Sequence, residues 1–387
     1  KSLFTIRAHA DNRGSIIASG DSSMLRHGRG GYNYMWPRDG ARAALALDRA
    51  GDVNVAQRFF EFCNSVITRE GYFMHKYRPD GSLGSSWHPW VRDGKMELPI
   101  QEDETAIVLF TLWEHYMITK DLEFIEKIYN KLIEPAGDFL VHYTYKDFGL
   151  PYPSYDLWEE KYGISTYTCS AVYGALLAAA NFAELLGKMD KGNKYRRSAK
   201  EMREATLKYL YLEGEGMFAK SVIMSEKGKK MNYDKTLDIS SFYGIFKFGL
   251  LDVHDERMKK SLKTIEAKLR NNDGIKGIPR YERDTYYRVP GETSPNPWFV
   301  TTLWHAKYYI KAAKTEKDLE PVKECLRWVR RYALPSGVLS EQLHPHTGQQ
   351  ISAAPLTWSH AEFVLTIIDY LDKLEELGVC KDCNPIK

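Results

Sequence analysis

The residues best suited to chemistry form two carboxylate motifs, Tyr-Asp-Leu-Trp-Glu-Glu at 155–160 and Leu-Ser-Glu-Gln at 339–342. Each motif is predicted to lie in a loop just ahead of a strongly apolar helix. Cleavage of a glycosidic bond requires two such acids. One must be protonated so that it can donate to the leaving oxygen, and the other must be ionised so that it can deprotonate water or attack the sugar. The two motifs therefore predict a glycosidase site.

The composition indicates a partner that is small and neutral. A formal net charge of +3 is close to balanced, and Lys and Arg are interspersed with Asp and Glu, so no surface is marked for nucleic acid. Aromatic residues make up 13% of the chain, and many lie in predicted loops, as at 86–90 and 284–287. Flat rings with a polar edge stack well on sugar faces, although such rings also serve in ordinary protein cores.

The five cysteines are a sparse and odd set for 387 residues, so no disulfide framework is predicted. Cys380 and Cys383 have the spacing of a redox or metal motif, but no second ligand pair accompanies them. We therefore predict no metal and no cofactor. Free cysteines favour a reducing interior and therefore a cytoplasmic location.

No segment has the length and apolar content of a transmembrane helix, so no membrane partner is predicted. The most apolar stretch, 171–186, contains Asn181 and Glu184 and suits a buried helix better. The chain begins with Lys1 rather than Met, and residues 2–6 already have a helical pattern. We therefore expect a processed chain or a catalytic fragment that lacks an N-terminal portion.

Helical periodicity dominates the sequence, and the predicted helices are of two kinds. One kind is apolar nearly all round, as at 167–186 and 358–371, and must be covered on every side. The other kind carries a single apolar stripe, as at Met258, Ile265 and Leu269, and faces water on its other side.

The two kinds of helix alternate along the chain. The apolar helices are predicted to start near Arg38, Glu104, Ser165, Leu237, Asn296 and Thr357. The striped helices are predicted near Val53, Asp121, Gly192, Asp255 and Lys317, with one more near Ser2. This repeat predicts an all-α fold, a closed toroid of six inner and six outer helices. Since no linker or low-complexity stretch divides the chain, 1–387 is predicted to be a single domain.

Boundary residues agree with this architecture. Asn296 and Pro297 are predicted to be the N-cap and the first residue of an inner helix, and Gly187 is predicted to end another. The carboxylate motifs each lie shortly before an inner helix, so in a toroid their loops converge on one mouth. Free N–H groups at the helix N-termini favour carboxylates at that mouth.

Several longer motifs follow one another along the chain. They are Tyr32-Asn-Tyr-Met-Trp-Pro-Arg38-Asp39, Tyr155-Asp-Leu-Trp-Glu159-Glu160, Arg280-Tyr281 with Asp284-Thr285-Tyr286-Tyr287, Asn296-Pro-Trp-Phe299, Glu341-Gln342 and Leu356-Thr-Trp358-Ser. In these residues, and in their order, the chain resembles the glucoamylase-type enzymes of glycoside hydrolase family fifteen. The resemblance implies an (α/α)6 barrel that releases β-D-glucose, with inversion, from the non-reducing ends of maltooligosaccharides or starch. It also implies that Glu159 is the general acid and Glu341 the general base.

The same resemblance implies a set of substrate contacts. The residues so assigned are Tyr32, Trp36, Arg38, Asp39, Asp103, Leu157, Trp158, Glu160, Arg280, Tyr281, Trp298, Gln342 and Trp358. Arg38 and Asp39 would clamp the hydroxyls of the terminal sugar and so enforce exo action, while Tyr32 would help hold the base and its water. The residues alone do not decide whether Glu159 or Glu160 is the acid.

The two catalytic roles require opposite environments. Inversion needs room for a water between acid and base, with the carboxyls about 6.5–9.5 Å apart. Burial beside Trp158 is expected to raise the pKa of Glu159, whereas hydrogen-bond donors are expected to keep Glu341 ionised.

Structural explanations compete for several of these residues. The Arg-Asp pair at 38–39 would ordinarily be a helix cap with a solvated cation. The acids at 102–104 would ordinarily do no more than complement a helix dipole. Trp298 and Trp358 could equally be core residues of their inner helices.

Competing functions are also open. Hydrolysis of isomaltose or dextran and hydrolysis of trehalose would use the same fold and acid pair. The segment 94–101 lacks the tryptophan that fungal members carry there, and the chain offers Trp87 and Trp90 upstream instead. A non-catalytic sugar-binding barrel and a zinc-dependent helical toroid are the remaining alternatives. An N-terminal β-sandwich, common to prokaryotic relatives, would pack on the barrel in a longer protein.

Overall fold

Helices alternate between an inner and an outer layer along the chain. The computed structural model describes residues 1–23, 31–88, 90–92, 94–224 and 231–383. In chain order the helices are α1 (Ser2–Ala8), α2 (Pro37–Arg49), α3 (Val53–Val66), α4 (Glu102–Thr119), α5 (Leu122–Ile128), α6 (Glu134–His142), α7 (Thr166–Leu185), α8 (Met189–Leu210), α9 (Ile239–Lys247), α10 (Glu256–Lys268), α11 (Phe299–Ala312), α12 (Glu320–Tyr332) and α13 (Thr357–Glu376). A π-helical turn at Tyr129–Ile133 joins α5 to α6, and a 3-10 turn at Glu316–Leu319 leads into α12.

The inner helices α2, α4, α7, α9, α11 and α13 form a closed ring. Contacts join each of them to the next, and α13 returns to pack against α2. Every residue of α2 from 37 to 48 is buried, including the charged residues Arg38, Asp39, Arg42 and Asp48. Each inner helix begins within a few residues of the start predicted for it.

The outer layer consists of α1, α3, the α5–α6 pair, α8, α10 and α12. These helices bury one stripe only: in α8 the buried residues include Tyr195, Ala199 and Met202, at spacings of four and three. In α10, Met258 and Ile265 are buried, as their pattern predicted. With α5 and α6 counted as one unit, the described residues form a closed arrangement of six inner and six outer helices. This is an (α/α)6 barrel, which confirms the predicted fold class.

Short antiparallel strands shape the loops between the helices. They are β1 (Val91–Arg92) with β2 (Lys95–Met96), β3 (Thr144–Tyr145) with β4 (Leu150–Pro151), β7 (Tyr211–Leu212) with β8 (Met217–Phe218), and β11 (Gln342–Leu343) with β12 (Gln350–Ile351). A four-stranded sheet has the order β10 (Met231–Asp234), β9 (Ser221–Met224), β6 (Tyr162–Ser165) and β5 (Ser154–Tyr155). The β5–β6 hairpin pairs Tyr155 with Tyr162, so both adjacent glutamates lie in its connecting loop.

One predicted helix boundary is wrong. Helix α11 begins at Phe299 with Trp298 as its N-cap residue, so Asn296 does not cap it. The buried Asn296 amide instead donates hydrogen bonds of 2.8 Å to the Tyr287 carbonyl and to Gln342 Oε1. Gly187 does follow α7 in the left-handed conformation predicted for a C-terminal glycine, at φ +72°.

The cysteines differ from expectation at the end of the chain. Cys380 and Cys383 form a disulfide pair, with their Cα atoms 5.9 Å apart, because the turn after α13 brings them together. Among the described residues, no group of three or more His, Cys, Asp or Glu side chains is placed to hold a metal ion. No described helix combines the length and the apolar character needed to cross a bilayer.

Candidate active site

A cavity of about 580 Å³ opens at the end of the barrel where the inner helices begin. The predicted site residues that line it are Tyr32, Trp36, Arg38, Asp39, Leu157, Trp158, Glu159, Glu160, Arg280, Trp298, Glu341 and Trp358. The segments that precede α2, α7, α11 and α13 contribute most of them. Both candidate catalytic acids therefore lie on the wall of the same cavity.

Three predicted substrate contacts lie behind that wall. Asp103 is fully buried and accepts a hydrogen bond of 3.2 Å from Arg38. Gln342 is also buried and donates to Glu341 Oε2 at 3.1 Å. The Tyr281 hydroxyl donates to Glu160 Oε2. Their placement suits them to orienting residues that line the cavity, rather than to contacting a sugar themselves.

Arg38 lies in the first turn of α2 and is surrounded by carboxylates. Its Nη1 lies 3.2 Å from Asp103 Oδ2 and 3.5 Å from Glu104 Oε1. Its Nε lies 3.5 Å from Asp39 Oδ2, and its Nη2 lies 3.9 Å from Glu159 Oε1. The side chain is only 3% exposed, so a solvated cation at a helix cap is excluded.

Asp39 completes a paired donor and acceptor at the bottom of the cavity. Burial raises its pKa to about 6, although the adjacent Arg38 charge opposes the shift. The charges of Glu159 and Glu341 contribute to this rise. Asp39 is therefore placed within the electrostatic field of both candidate catalytic acids.

The acids at the start of α4 are more than surface helix-dipole residues. Glu102, Asp103 and Glu104 are all fully buried. Burial raises the pKa of Glu102 and of Glu104 well above the usual value, despite the Arg38 charge beside Glu104. Both carboxyls are therefore harder to ionise than exposed glutamates.

Glu159 is held by contacts to both its backbone and its side chain. Its φ of +59° lies in the left-handed region, which is unusual for a glutamate and requires support from its surroundings. His88 Nε2 lies 2.6 Å from the Glu159 carbonyl oxygen, and the Glu159 amide donates to the Asp156 carbonyl at 2.9 Å. His75 Nε2 lies 2.6 Å from Glu159 Oε2. These contacts fix both the backbone of the loop and the orientation of the Glu159 carboxyl.

The electrostatics of Glu159 differ from the sequence-based expectation. Burial raises its pKa, as predicted, but the charge and hydrogen bond of His75 and the charges of Arg38 and Lys76 oppose burial. Together these groups outweigh burial, and the pKa of Glu159 is lowered. The difference arises because the sequence did not reveal His75 and Lys76 beside the carboxyl.

Glu341 has the donors expected of a general base. Tyr32 donates to its Oε1 at 3.0 Å, Gln342 donates to its Oε2 at 3.1 Å, and the Ser352 hydroxyl also donates to Oε2. Burial nevertheless dominates and raises the pKa of Glu341, while these hydrogen bonds and the Arg280 charge limit the rise. The carboxylate is oriented by Tyr32, from the segment before α2, by Gln342 of β11, and by Ser352, directly after β12.

The two adjacent glutamates have different partners. Glu160 Oε1 accepts a hydrogen bond of 2.8 Å from Arg280 Nη2. Arg280 is itself fixed by two bonds to Asp284, at 2.7 and 2.8 Å. Glu159 instead contacts His75, as described above, so the structure distinguishes two residues that the sequence alone could not.

Tryptophans form much of the cavity wall. The Trp158 indole donates to Asp238 Oδ2 at 2.9 Å, which fixes the ring. Its ring centroid lies 5.8 Å from that of Trp298 and 6.3 Å from that of Trp358. Both of these rings line the cavity while remaining about 95% buried, so they act as wall and core together.

Several lining residues were not predicted as contacts. They are Ala18, Ser85, Ser86, Trp87, His88, Tyr286 and Leu356. Trp87, one of the two tryptophans noted upstream of segment 94–101, lines the cavity. His75 had no local signal, because its contact with Glu159 joins residues 84 positions apart.

Comparison with known proteins shows that the chain is similar to glycosyl hydrolases. The model of the family described as glycosyl hydrolases family 15 matches residues 4–323 and 318–368. An uncharacterized glycosyl hydrolase of Methanocaldococcus jannaschii is 32% identical over 95% of this chain and 55% of its own length. A glucoamylase of a Clostridium species is 26% identical over 94% of this chain and 51% of its own length. This chain spans about half the length of these curated relatives.

Other relatives carry different names. A protein of Sulfolobus acidocaldarius named trehalase 2 is 24% identical over 92% of this chain and 60% of its own length. A protein of Kribbella flavida named isomaltose glucohydrolase is 24% identical over 93% of this chain and 89% of its own length. Among solved structures, a bacterial glucoamylase complexed with acarbose superposes with a TM-score of 0.77. The two chains are 23% identical, and the match covers 96% of this chain and 55% of the glucoamylase chain. This similarity supports the barrel fold.

Proposed function

Because the chain belongs to glycosyl hydrolases family 15, we propose that it is an inverting, exo-acting α-glucoside hydrolase that releases β-D-glucose from maltooligosaccharides or starch. The observation that carries this proposal is that Glu159 and Glu341 line one cavity, each held by a separate set of partners. The clamp at Arg38 and the tryptophan walls around the cavity support a sugar as the substrate.

In the proposed reaction, Glu159 donates its proton to the glycosidic oxygen as the bond to the anomeric carbon breaks. Glu341 takes a proton from a water, whose oxygen attacks the anomeric carbon from the opposite face. The configuration therefore inverts, and an α-linked glucose is released as the β-anomer. The Tyr32, Gln342 and Ser352 donors orient the base toward the water.

The exo character is proposed to come from Arg38 and Asp39. These buried groups offer a cationic donor and an acidic acceptor side by side, which suits two neighbouring hydroxyls of a terminal sugar. A chain that continued past this point would meet α2 and the buried acids of α4. Only the end of a glucan therefore fits.

Hydrolysis of trehalose or of α-1,6-linked glucose is the second candidate, favoured by the relatives that carry those names. The linkage is proposed to depend on the leaving-group side of the cavity. To that side we assign four of the lining residues, Glu160, Arg280, Trp87 and His88. All three substrates use the same two acids, so the proposed mechanism is common to them.

A proton NMR time course tests the proposal and ranks the substrates. The protein is incubated with maltotriose, isomaltotriose and trehalose in separate tubes, and the anomer that appears first is recorded. Early β-glucose from maltotriose is the expected result, whereas early β-glucose from another tube would favour the second candidate. Early α-glucose would contradict inversion, and no glucose in any tube would contradict hydrolysis of these sugars.

A further inference from the structure

The ring of His75 is joined to the proposed general acid in an enclosed place. Its Nε2 lies 2.6 Å from Glu159 Oε2, and both side chains are less than one-tenth exposed. Trp36, Trp87 and Trp90 surround the ring, with centroids 6.3, 6.3 and 5.5 Å away. Because this enclosure limits access of water, a proton between the two groups has few other acceptors.

A second observation makes this contact significant. A general acid must hold a proton at the moment the glycosidic bond breaks. Arg38 and the buried Lys76 both place positive charge near Glu159, which favours its carboxylate form. An isolated carboxyl in these surroundings would give up its proton too readily for its proposed role. A second group close to Glu159 must therefore help to retain the catalytic proton.

We propose that His75 is a positioning residue that shares the catalytic proton with Glu159, so that the pair, rather than the carboxyl alone, retains the proton used in catalysis. This inference rests on the proposed function of Glu159. One proton bound to the pair lies either on His75 Nε2, as imidazolium and carboxylate, or on Glu159, as imidazole and carboxylic acid. Because the two arrangements interconvert across a single hydrogen bond, the pair titrates as one unit.

The proton balance of one turnover is closed. The proton of the pair passes to the glycosidic oxygen, which leaves with the departing sugar as a hydroxyl. A proton from the attacking water passes to Glu341, and the water oxygen bonds to the anomeric carbon. The pair then carries a carboxylate and a neutral imidazole, and a proton returning through solvent from Glu341 restores the starting state.

Other titratable or charged groups face the pair. They are Arg38 and Asp39 from α2, Glu104 from α4, Lys76 and His88 from 75–88, and Glu341 across the cavity. Lys76 is a useful contrast, because its Nζ lies 4.1 Å from the centroid of the Trp87 ring and no hydrogen bond from it to Glu159 is present in the described part of the chain. Lys76 can act on Glu159 only as a nearby charge.

The pH dependence of kcat/KM separates proton sharing from a fixed charge. Activity should fall at alkaline pH when the pair loses its last proton. In His75→Gln only Glu159 holds that proton, so the alkaline limb should move to lower pH, by about two units given the usual difference between histidine and glutamate. In Lys76→Met a cation that favours ionised Glu159 is lost, so the limb should move to higher pH.

The two variants therefore give opposite shifts under the proposal. An alkaline limb that stays in place in His75→Gln, with only a lower rate, would show that the histidine merely supports the loop. A limb that moves to higher pH in His75→Gln, as in Lys76→Met, would show that it acts as a fixed charge. Either result overturns proton sharing. Circular dichroism and melting temperature establish that each variant is folded.

A second measurement needs no substrate, so it tests the pair even if the proposed function fails. The ring signals of His75 are identified in histidine NMR spectra by their loss in His75→Gln, and are followed with pH in the unaltered protein and in Glu159→Gln. The ring should lose its proton at a lower pH in Glu159→Gln. Titration at the same pH in both proteins would overturn the proposal, whereas absence of glucose release in the substrate experiment would overturn only the proposed function.

Discussion

Glu159 and Glu341 are the residues on which turnover should depend most. Replacing either with Gln keeps the size of the side chain but removes the acid or the base. General acid–base catalysis contributes roughly 10²–10⁴-fold, so kcat is expected to fall by about that factor in Glu159→Gln and in Glu341→Gln. Steady-state kinetics, with calorimetry to show that the sugar still binds, checks this prediction.

Glu160 provides a matched control for that experiment. Glu160→Gln makes the same chemical change one residue away, but it alters the contacts with Arg280 and Tyr281 rather than the contact with His75. We therefore expect Glu160→Gln to raise KM more than it lowers kcat. If kcat fell as far in Glu160→Gln as in Glu159→Gln, the assignment of the acid would be wrong.

Tyr32→Phe tests the hydrogen bonds that orient the base. It removes a hydroxyl that lies 3.0 Å from Glu341 Oε1. A donor favours the carboxylate, so its loss should raise the pKa of Glu341 further. Since the base works only when ionised, the acidic limb of the kcat/KM profile should move to higher pH, by up to about one unit for one hydrogen bond.

Tyr34→Phe is the control for this change. The Tyr34 hydroxyl lies 3.3 Å from Ser85 Oγ and not beside Glu341. Its loss should leave the acidic limb in place. An unmoved limb in Tyr32→Phe, or one that moves to lower pH, would contradict the proposed role of Tyr32.

At the level of the helices, close packing between α2 and α3 depends on a glycine. A Cβ added at Gly40 would lie 2.4 Å from Cε2 of the fully buried Phe59. Alanine usually stabilises a helix interior by about 1 kcal/mol relative to glycine, but overpacking a filled core costs about 1–3 kcal/mol. We expect Gly40→Ala to lower the free energy of unfolding by about 1–2 kcal/mol, measured by urea denaturation.

Gly192→Ala in α8 is the matching substitution in the outer layer. Its added Cβ would meet Cγ of Glu184, a flexible side chain that is 28% exposed and can move. The free energy of unfolding should therefore stay the same or rise slightly. If both variants lost the same free energy of unfolding, the close contact with the rigid Phe59 ring would not explain the loss in Gly40→Ala.

The helices also show what a sequence can and cannot predict. Their number, order and layers were predictable because burial on all sides and burial of one stripe leave local, repeating patterns. The N-terminal end of α11 was not, because Asn296 is engaged by Gln342 and the Tyr287 carbonyl, which are distant in sequence. The cavity residues in the ordered motifs were assigned through the resemblance of those motifs to a known enzyme family, and not through burial patterns. The partners His75 and Ser352 were not, because only the folded loops bring them to the carboxyls.

In the whole molecule, buried ions help to close the ring of inner helices. Glu362 of α13 lies between two cations from other inner helices. Lys307 Nζ of α11 lies 2.9 Å from its Oε2, and Arg42 Nε of α2 lies 3.8 Å from its Oε1. All three side chains are at most 7% exposed. The charges thus connect the last inner helix to the first and to its preceding neighbour, where the ring has no covalent closure.

Glu362→Gln should therefore destabilise the whole barrel. The substitution leaves Arg42 buried without this counter-charge and leaves Lys307 to Asp369, whose Oδ2 lies 3.5 Å from Nζ. Loss of one partner of a buried ion pair costs about 3–5 kcal/mol of unfolding free energy. Denaturation monitored by circular dichroism gives the measurement. Glu376→Gln, at an exposed ion pair with Lys373 on the same helix, is the control and should cost at most about 1 kcal/mol.

The stabilisation by Glu362 should depend on pH. Burial opposes ionisation of Glu362, but the charges of Lys307, Arg42 and Lys247 outweigh it and lower the pKa to about 2 in the folded protein. An unfolded glutamate has a pKa of about 4.3, so the stabilisation is complete above that pH and is lost as the pH falls toward 2. The difference in unfolding free energy between the unaltered protein and Glu362→Gln should shrink over that interval. A difference that stayed constant from pH 6 to pH 2 would show that lost packing, rather than lost charge, weakens the ring.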